Sequence, residues 1–146
     1  PALRNKRDKV IEAVVSNGGM IGFSLYPHHL KNGSKCTLSD FCSMVAQSAD
    51  KYGIGSLGIG SDLCQDQPDS IVEWMRVGRW SKTIDYGEGS SDNPGFPKQP
   101  GWFSNNRDFK NIEKGLADVG FDKGEIEAIM GKNWYDFYTD NFVGLD

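Results

Sequence analysis

The chain has 146 residues, 38% of them hydrophobic and 25% charged, with a net charge of −4 and a pI near 5.1. This is long enough for one domain with a real core and ordinary for a soluble globular protein. It excludes a nucleic-acid binder with a basic face: the one dense basic run (Arg4, Lys6, Arg7, Lys9) is interrupted by Asp8 and followed by Glu12, the pattern of a solvated helix face.

Residues 6–16 place Val10, Ile11, Val14 and Val15 on one helical stripe, and Asn17-Gly18-Gly19 ends it, glycine taking the left-handed C-cap readily. Residues 20–26 form a short run, apolar apart from Ser24 and closed by Pro27, which predicts a buried parallel strand. After the polar loop 28–36, Thr37 with Asp40 forms a variant capping box, Phe41, Met44, Val45 and Ala49 supply the apolar stripe, and Gly53 stops the helix. Residues 54–60 are a second short apolar strand, rich in glycine and ending at Ser61-Asp62. The order helix, strand, helix, strand is the signature of a parallel α/β sheet.

Beyond Asp62 the pattern changes. Residues 70–80 fit a helix, and 81–104 are rich in Gly, Ser, Pro and Asp. A loop of about 20 residues in a compact domain tends to be functional. Helices follow at about 107–119, 123–130 and 133–142, with Gly120 and Gly131 as their breaks. Met44, Met75 and Met130 read as core, and Trp74, Trp80, Trp102 and Trp134 as packing anchors. Two βα units cannot close a barrel, and an isolated parallel pair leaves its edges open. The sheet therefore needs partner strands from elsewhere. The opening at Pro1, without methionine, also fits a segment of a longer protein.

Cys36, Cys42 and Cys64 are odd in number and form no CxxC pair, which predicts reduced thiols and a cytoplasmic location. No stretch approaches the ~20 apolar residues of a membrane span, and no signal peptide is visible. His28 and His29 are adjacent, a spacing at which side chains rarely converge on one ion, so no metal ligand is assigned to this chain. Gly58-x-Gly60 lacks the third glycine of a dinucleotide fingerprint. Cys64 has no nearby base to make it a nucleophile. The strongest chemical feature is Asp62, a carboxylate at the C-terminal end of a buried strand, where α/β barrels place catalytic residues. By pattern alone it reads equally as a turn cap. Tyr26 ends the first strand on the same rim, as a ligand contact or an ordinary amphipathic rim residue.

Several segments together resemble the renal (membrane) dipeptidase family. They are Leu3-Arg4-Asn5-Lys6 with Asp8; Gly19-Met20-Ile21-Gly22-Phe23-Ser24-Leu25-Tyr26; Leu57-Gly58-Ile59-Gly60-Ser61-Asp62; and Ile129-Met130-Gly131-Lys132-Asn133-Trp134-Tyr135-Asp136-Phe137. Their order matches the C-terminal part of that family and covers nearly the whole chain. The resemblance implies the last two strands and tail helices of a (β/α)8 TIM-type barrel, in an enzyme that hydrolyses dipeptides with two zinc ions. It implies that Asp62 is the catalytic base and acid, that Arg4 binds the substrate carboxylate, and that Tyr26 lines the pocket. The family's metal ligands would all precede Pro1, so the isolated chain is expected to be inactive. Its expected partners are a dipeptide and the N-terminal part of the same barrel, with a homodimer compatible and neither nucleic acid nor membrane. The segment Asp62-Leu63-Cys64-Gln65 departs from the family's Asp-Phe-Asp-Gly. That departure keeps two alternatives open: an amidohydrolase of another small amide or N-acyl amino acid, and a non-catalytic barrel homologue.

Overall fold

The computed structural model describes residues 5–77 and 89–142. Helix α1 (Asp8–Ser16) leads into strand β1 (Ile21–Ser24), helix α2 (Leu38–Tyr52) and strand β2 (Leu57–Gly60). Helices α3 (Ser70–Val77), α4 (Phe109–Asp118), α5 (Lys123–Glu127) and α6 (Asn133–Phe142) follow. The expected helix–strand–helix–strand order is present, and the strands pair in parallel with Ile21 opposite Leu57 and Ser24 opposite Gly60. Among the described residues these are the only two strands of the sheet.

Local chemistry sets each boundary. The Thr37 hydroxyl accepts the Asp40 N–H at 3.0 Å and donates to the Asp40 carboxylate at 2.8 Å, capping α2. Gly18 (φ 74°) and Gly53 (φ 80°) take left-handed backbone after α1 and α2, where glycine avoids the Cβ clash. Helix α2 turns Phe41, Cys42 and Val45 inward, and α4 turns Ile112, Gly115 and Leu116 to meet them. Gly115 permits that approach: a Cβ there would lie 2.7 Å from the Cys42 sulfur. Leu25, Leu57, Phe103 and Ile129 complete the core. Trp102 anchors the connection into it, its indole N–H donating to the Cys36 carbonyl at 2.8 Å.

The other face of the sheet is sealed by the start of α6. Strand alternation puts Gly22 and Gly58 on one face, and the Trp134 indole lies across both. Its N–H donates to the Ile59 carbonyl at 3.1 Å. Asn133 donates to the carbonyls of Ile54 and Leu57, both at 2.8 Å. The glycines of β1 and β2 are thus the floor on which an aromatic ring rests.

Several expectations need correction. The strands are shorter than 20–26 and 54–60, because Ile54–Ser56 winds into a 3-10 turn and regular strand geometry stops at Ser24, one step before the last ladder hydrogen bond. Met44 and Met75 are exposed rather than core, and Trp74 is 70% exposed rather than a packing anchor. Met44 lines a cleft beside β1. On α3 the inward stripe is Val72 and Arg76, which turns Ile71, Trp74 and Met75 outward. Gly131 breaks the helical run as expected, its extended φ of 173° kinking the chain between α5 and α6. Trp80 and residues 78–88 of the predicted loop lie outside the described residues.

Candidate functional site at the C-terminal rim of the strands

Parallel pairing carries both strands to the same rim. The ladder continues one step past Ser24 and Gly60, with the Leu25 N–H donating to the Ser61 carbonyl at 3.3 Å. The next residue on each strand is Tyr26 and Asp62, so both sequence-predicted residues leave the sheet at the same end. Asp62 is exposed and holds φ at 53°. That left-handed conformation is uncommon for a residue with a side chain, although Asp tolerates it better than most. Residues held this way concentrate at functional sites. Among the described residues its carboxylate accepts no hydrogen bond, so the turn-cap reading has no contact to support it.

Tyr26 is only 8% exposed. Its hydroxyl accepts a hydrogen bond of 2.7 Å from Nη2 of Arg76 on α3. Nη1 of the same guanidinium donates to the carbonyls of Pro94 (3.0 Å) and Gly95. Gly89 (φ 89°) closes the far side, where a Cβ would sit 2.7 Å from Cδ and Cζ of Arg76. Arg76 was absent from the sequence-derived site. The signal that could have found it is its place four residues after Val72, on the stripe that faces inward.

Arg4 lies outside the described residues. Its neighbour Asn5 is tied to this rim, with Nδ2 donating to the His29 carbonyl at 3.0 Å. His28 and His29 form a 3-10 turn after Tyr26, and both rings pack on the Tyr26 ring at centroid distances of 5.5 and 5.2 Å. Nδ1 of His29 is 3.0 Å from the Ser24 hydroxyl. The histidine pair thus buttresses the tyrosine. Among the described residues, no group of three or more His, Cys, Asp or Glu side chains gathers to hold a metal ion. No described helix is long and apolar enough to cross a membrane.

A cleft of about 600 Å³ runs between α1, β1 and α2. Ile21, Gly22, Phe23 and Ser24 all line it. Successive strand residues point to opposite faces, so a lining of four in a row marks a cleft along the strand's edge. This is the edge of β1 not paired with β2. Asp62 lines neither this cleft nor a smaller one beside α2 and α5.

No family model and no curated protein matches the chain. Solved structures do. An amidohydrolase from Pseudomonas aeruginosa superposes with a TM-score of 0.77 at 25% identity, over 94% of this chain and 40% of its own. A dipeptidase described as a metallopeptidase superposes with a TM-score of 0.65 over 93% of this chain and 32% of its own. At 14% identity, that second likeness speaks to the fold alone. The resemblance of the sequence to renal (membrane) dipeptidases is therefore met by neighbours of the same kind. The chain has an amidohydrolase-like α/β fold and spans well under half of either neighbour's length.

Proposed function

We propose that this chain is the C-terminal part of a zinc-dependent dipeptidase built on a (β/α)8 barrel, and that it supplies that enzyme's proton-carrying carboxylate. The observation that carries the reading is the exit of Tyr26 and Asp62 from adjacent parallel strands at one rim, with Asp62 exposed, free of partners among the described residues and held at positive φ. The likeness to an amidohydrolase and to a metallopeptidase dipeptidase supports hydrolysis of an amide bond. The open edge of β1 and the cleft beside it support completion of the sheet by strands of the same polypeptide.

Among the described residues no group of His, Cys, Asp or Glu side chains fits a metal site; in this reading the N-terminal part of the barrel supplies the ligands. Bound there, zinc supplies an activated water and polarises the scissile carbonyl. The work of this chain is then specific. Asp62 takes a proton from the attacking water and returns it to the leaving amine. Arg4 clamps the substrate carboxylate, a task suited to a planar, bidentate guanidinium, and the tether from Asn5 to His29 ties its neighbour to this rim. Tyr26 walls the pocket beside them. The free thiols of Cys36, Cys42 and Cys64 fit a reducing, cytoplasmic compartment.

The test is hydrolysis of alanyl dipeptides by the full-length protein with zinc, compared with Asp62→Asn. Loss of a general base predicts a fall in kcat of about 10²–10⁴-fold with KM little changed. Full activity in the variant refutes the role of Asp62. Cleavage of N-acyl amino acids but of no dipeptide moves the reading to an amidohydrolase of that class, which the closer identity to the amidohydrolase favours.

A further inference from the structure

The two faces of the β1–β2 pair differ in what fills them. Phe23, Leu25 and Leu57 belong to the core built with α2 and α4, and Ile21 and Ile59 pack against it. In a parallel barrel the crossover helix lies outside the strands, so the face turned away from α2 is the inward one. Alternation gives that face Gly22 and Ser24 on β1, with Gly58 and Gly60 opposite them on β2. Barrel interiors are filled by layers of bulky side chains from the strands, and these two strands offer none. The space is taken instead by Trp134 of α6, whose indole would strike a Cβ at Gly58 and lie 3.2 Å from one at Gly22. Gly22 and Gly58 stand four residues before Tyr26 and Asp62, about 13 Å below the rim. The indole therefore fills the inward face near its N-terminal end, well away from the candidate site.

Beyond the indole, α6 continues as an aromatic surface. The Tyr138 ring stacks on Trp134 with centroids 6.0 Å apart and planes 23° apart, and Phe142 packs on Tyr138 at 5.7 Å. Tyr138 and Phe142 are nevertheless each 55% exposed. This patch is continuous with a contact already made, that of Trp134 on the glycine floor. We infer that α6 is a plug for the N-terminal mouth of the barrel, and that Tyr138 and Phe142 dock on apolar, inward-facing side chains of strands supplied by the N-terminal part of the same polypeptide. The chain spans 40% of the amidohydrolase neighbour, so a protein of that length has the larger share of its residues left to supply those strands. The inference rests on the barrel reading proposed above and goes beyond it, by placing the tail helix in the mouth rather than in the outer ring. The rival occupant is a second copy, because aromatic side chains are also enriched at interfaces between proteins.

The experiment uses the full-length protein carrying the photo-crosslinker benzoylphenylalanine in place of Tyr138 or, separately, of Met44, which lines the cleft on the open edge of β1. On a denaturing gel a link between copies doubles the mass, and mass spectrometry maps a link within one polypeptide. The probe at residue 138 is expected to link, within one polypeptide, to residues that precede Pro1. Links only between copies, or none to residues before Pro1, overturn the inference. The probe at residue 44 separates that failure from failure of the barrel. A link from 44 to preceding residues with none from 138 removes the plug and keeps the barrel; absence of both removes both. Dipeptide hydrolysis by the wild type is read independently, so an inactive protein that links from 138 as expected loses the dipeptidase reading and keeps the plug. If the probe at 138 prevents folding, hydroxyl-radical footprinting of the wild type decides. Tyr138 and Phe142 are expected to be oxidised several-fold more slowly in the native than in the urea-unfolded protein. Equal rates, or protection lost on dilution to monomer, overturn the inference.

Discussion

The contact between Trp134 and Gly58 offers a sharp test of how α6 is fixed to the sheet. An alanine Cβ at residue 58 would lie 2.7 Å from Cδ1 and 3.0 Å from Cε2 of the indole. The ring cannot simply withdraw, because its N–H is bonded to the Ile59 carbonyl and Asn133 beside it is bonded to Ile54 and Leu57. Replacing glycine in a strand by alanine favours folding by about 0.5–1 kcal/mol through the unfolded chain. Overpacking works against this with about 1–3 kcal/mol, and a lost indole hydrogen bond adds about 0.5–1.5 kcal/mol. The steric terms win, so Gly58→Ala should destabilise by about 1–3 kcal/mol net. Gly55→Ala is the control, since its Cβ meets nothing within 4 Å. Urea unfolding of the full-length protein, followed by tryptophan fluorescence, measures both. Trimming the ring with Trp134→Leu should relieve most of the cost of Gly58→Ala in a double-mutant cycle. Equal midpoints for Gly58→Ala and Gly55→Ala would show that the indole is not confined between α6 and the glycine floor.

Three further outcomes can be checked in the same protein. Asn133→Ala strands two backbone carbonyls at the start of β2 and should cost about 1–3 kcal/mol in urea unfolding; a neutral result would mean water replaces the amide. With a disulfide reagent near pH 8, the exposed Cys64 should react first among the three thiols of this chain and the buried Cys42 last. Burial pushes the Cys42 thiol up to about 11, leaving little thiolate to attack. Mass mapping that finds Cys42 modified before unfolding contradicts this. At Asp108, the backbone N–H groups of Ser104 and Asn105 hold the carboxyl below its ordinary value. A depressed carboxyl contributes stability above its unfolded pKa of about 3.9 and loses it as pH falls through the folded value. Asp108→Asn should therefore lower the urea midpoint at pH 7, with the gap to wild type closing towards pH 3. A gap independent of pH would assign the effect to shape rather than charge.

Much of the frame was legible in the sequence because it follows from short-range rules. The Thr37–Asp40 cap, the Gly53 stop and the inward stripe of Phe41 and Val45 are set by residues within a few positions of one another. Two short apolar runs separated by a helix sufficed to expect parallel strands, and the register confirms that pairing. Asp62 and Tyr26 could be placed on one rim for the same reason, since strand ends are fixed once direction is fixed. Tertiary structure decided what depends on residues far apart in the chain. Arg76 meets Tyr26 across fifty positions and Trp134 meets Ile59 across seventy-five, and no local periodicity encodes either contact. Nor could the sequence show that Met44 would face an open strand edge, or that α3 would turn its arginine inward and its tryptophan outward. Helical pattern supplies a stripe, but which partner that stripe meets is settled only when the rest of the fold supplies the other surface.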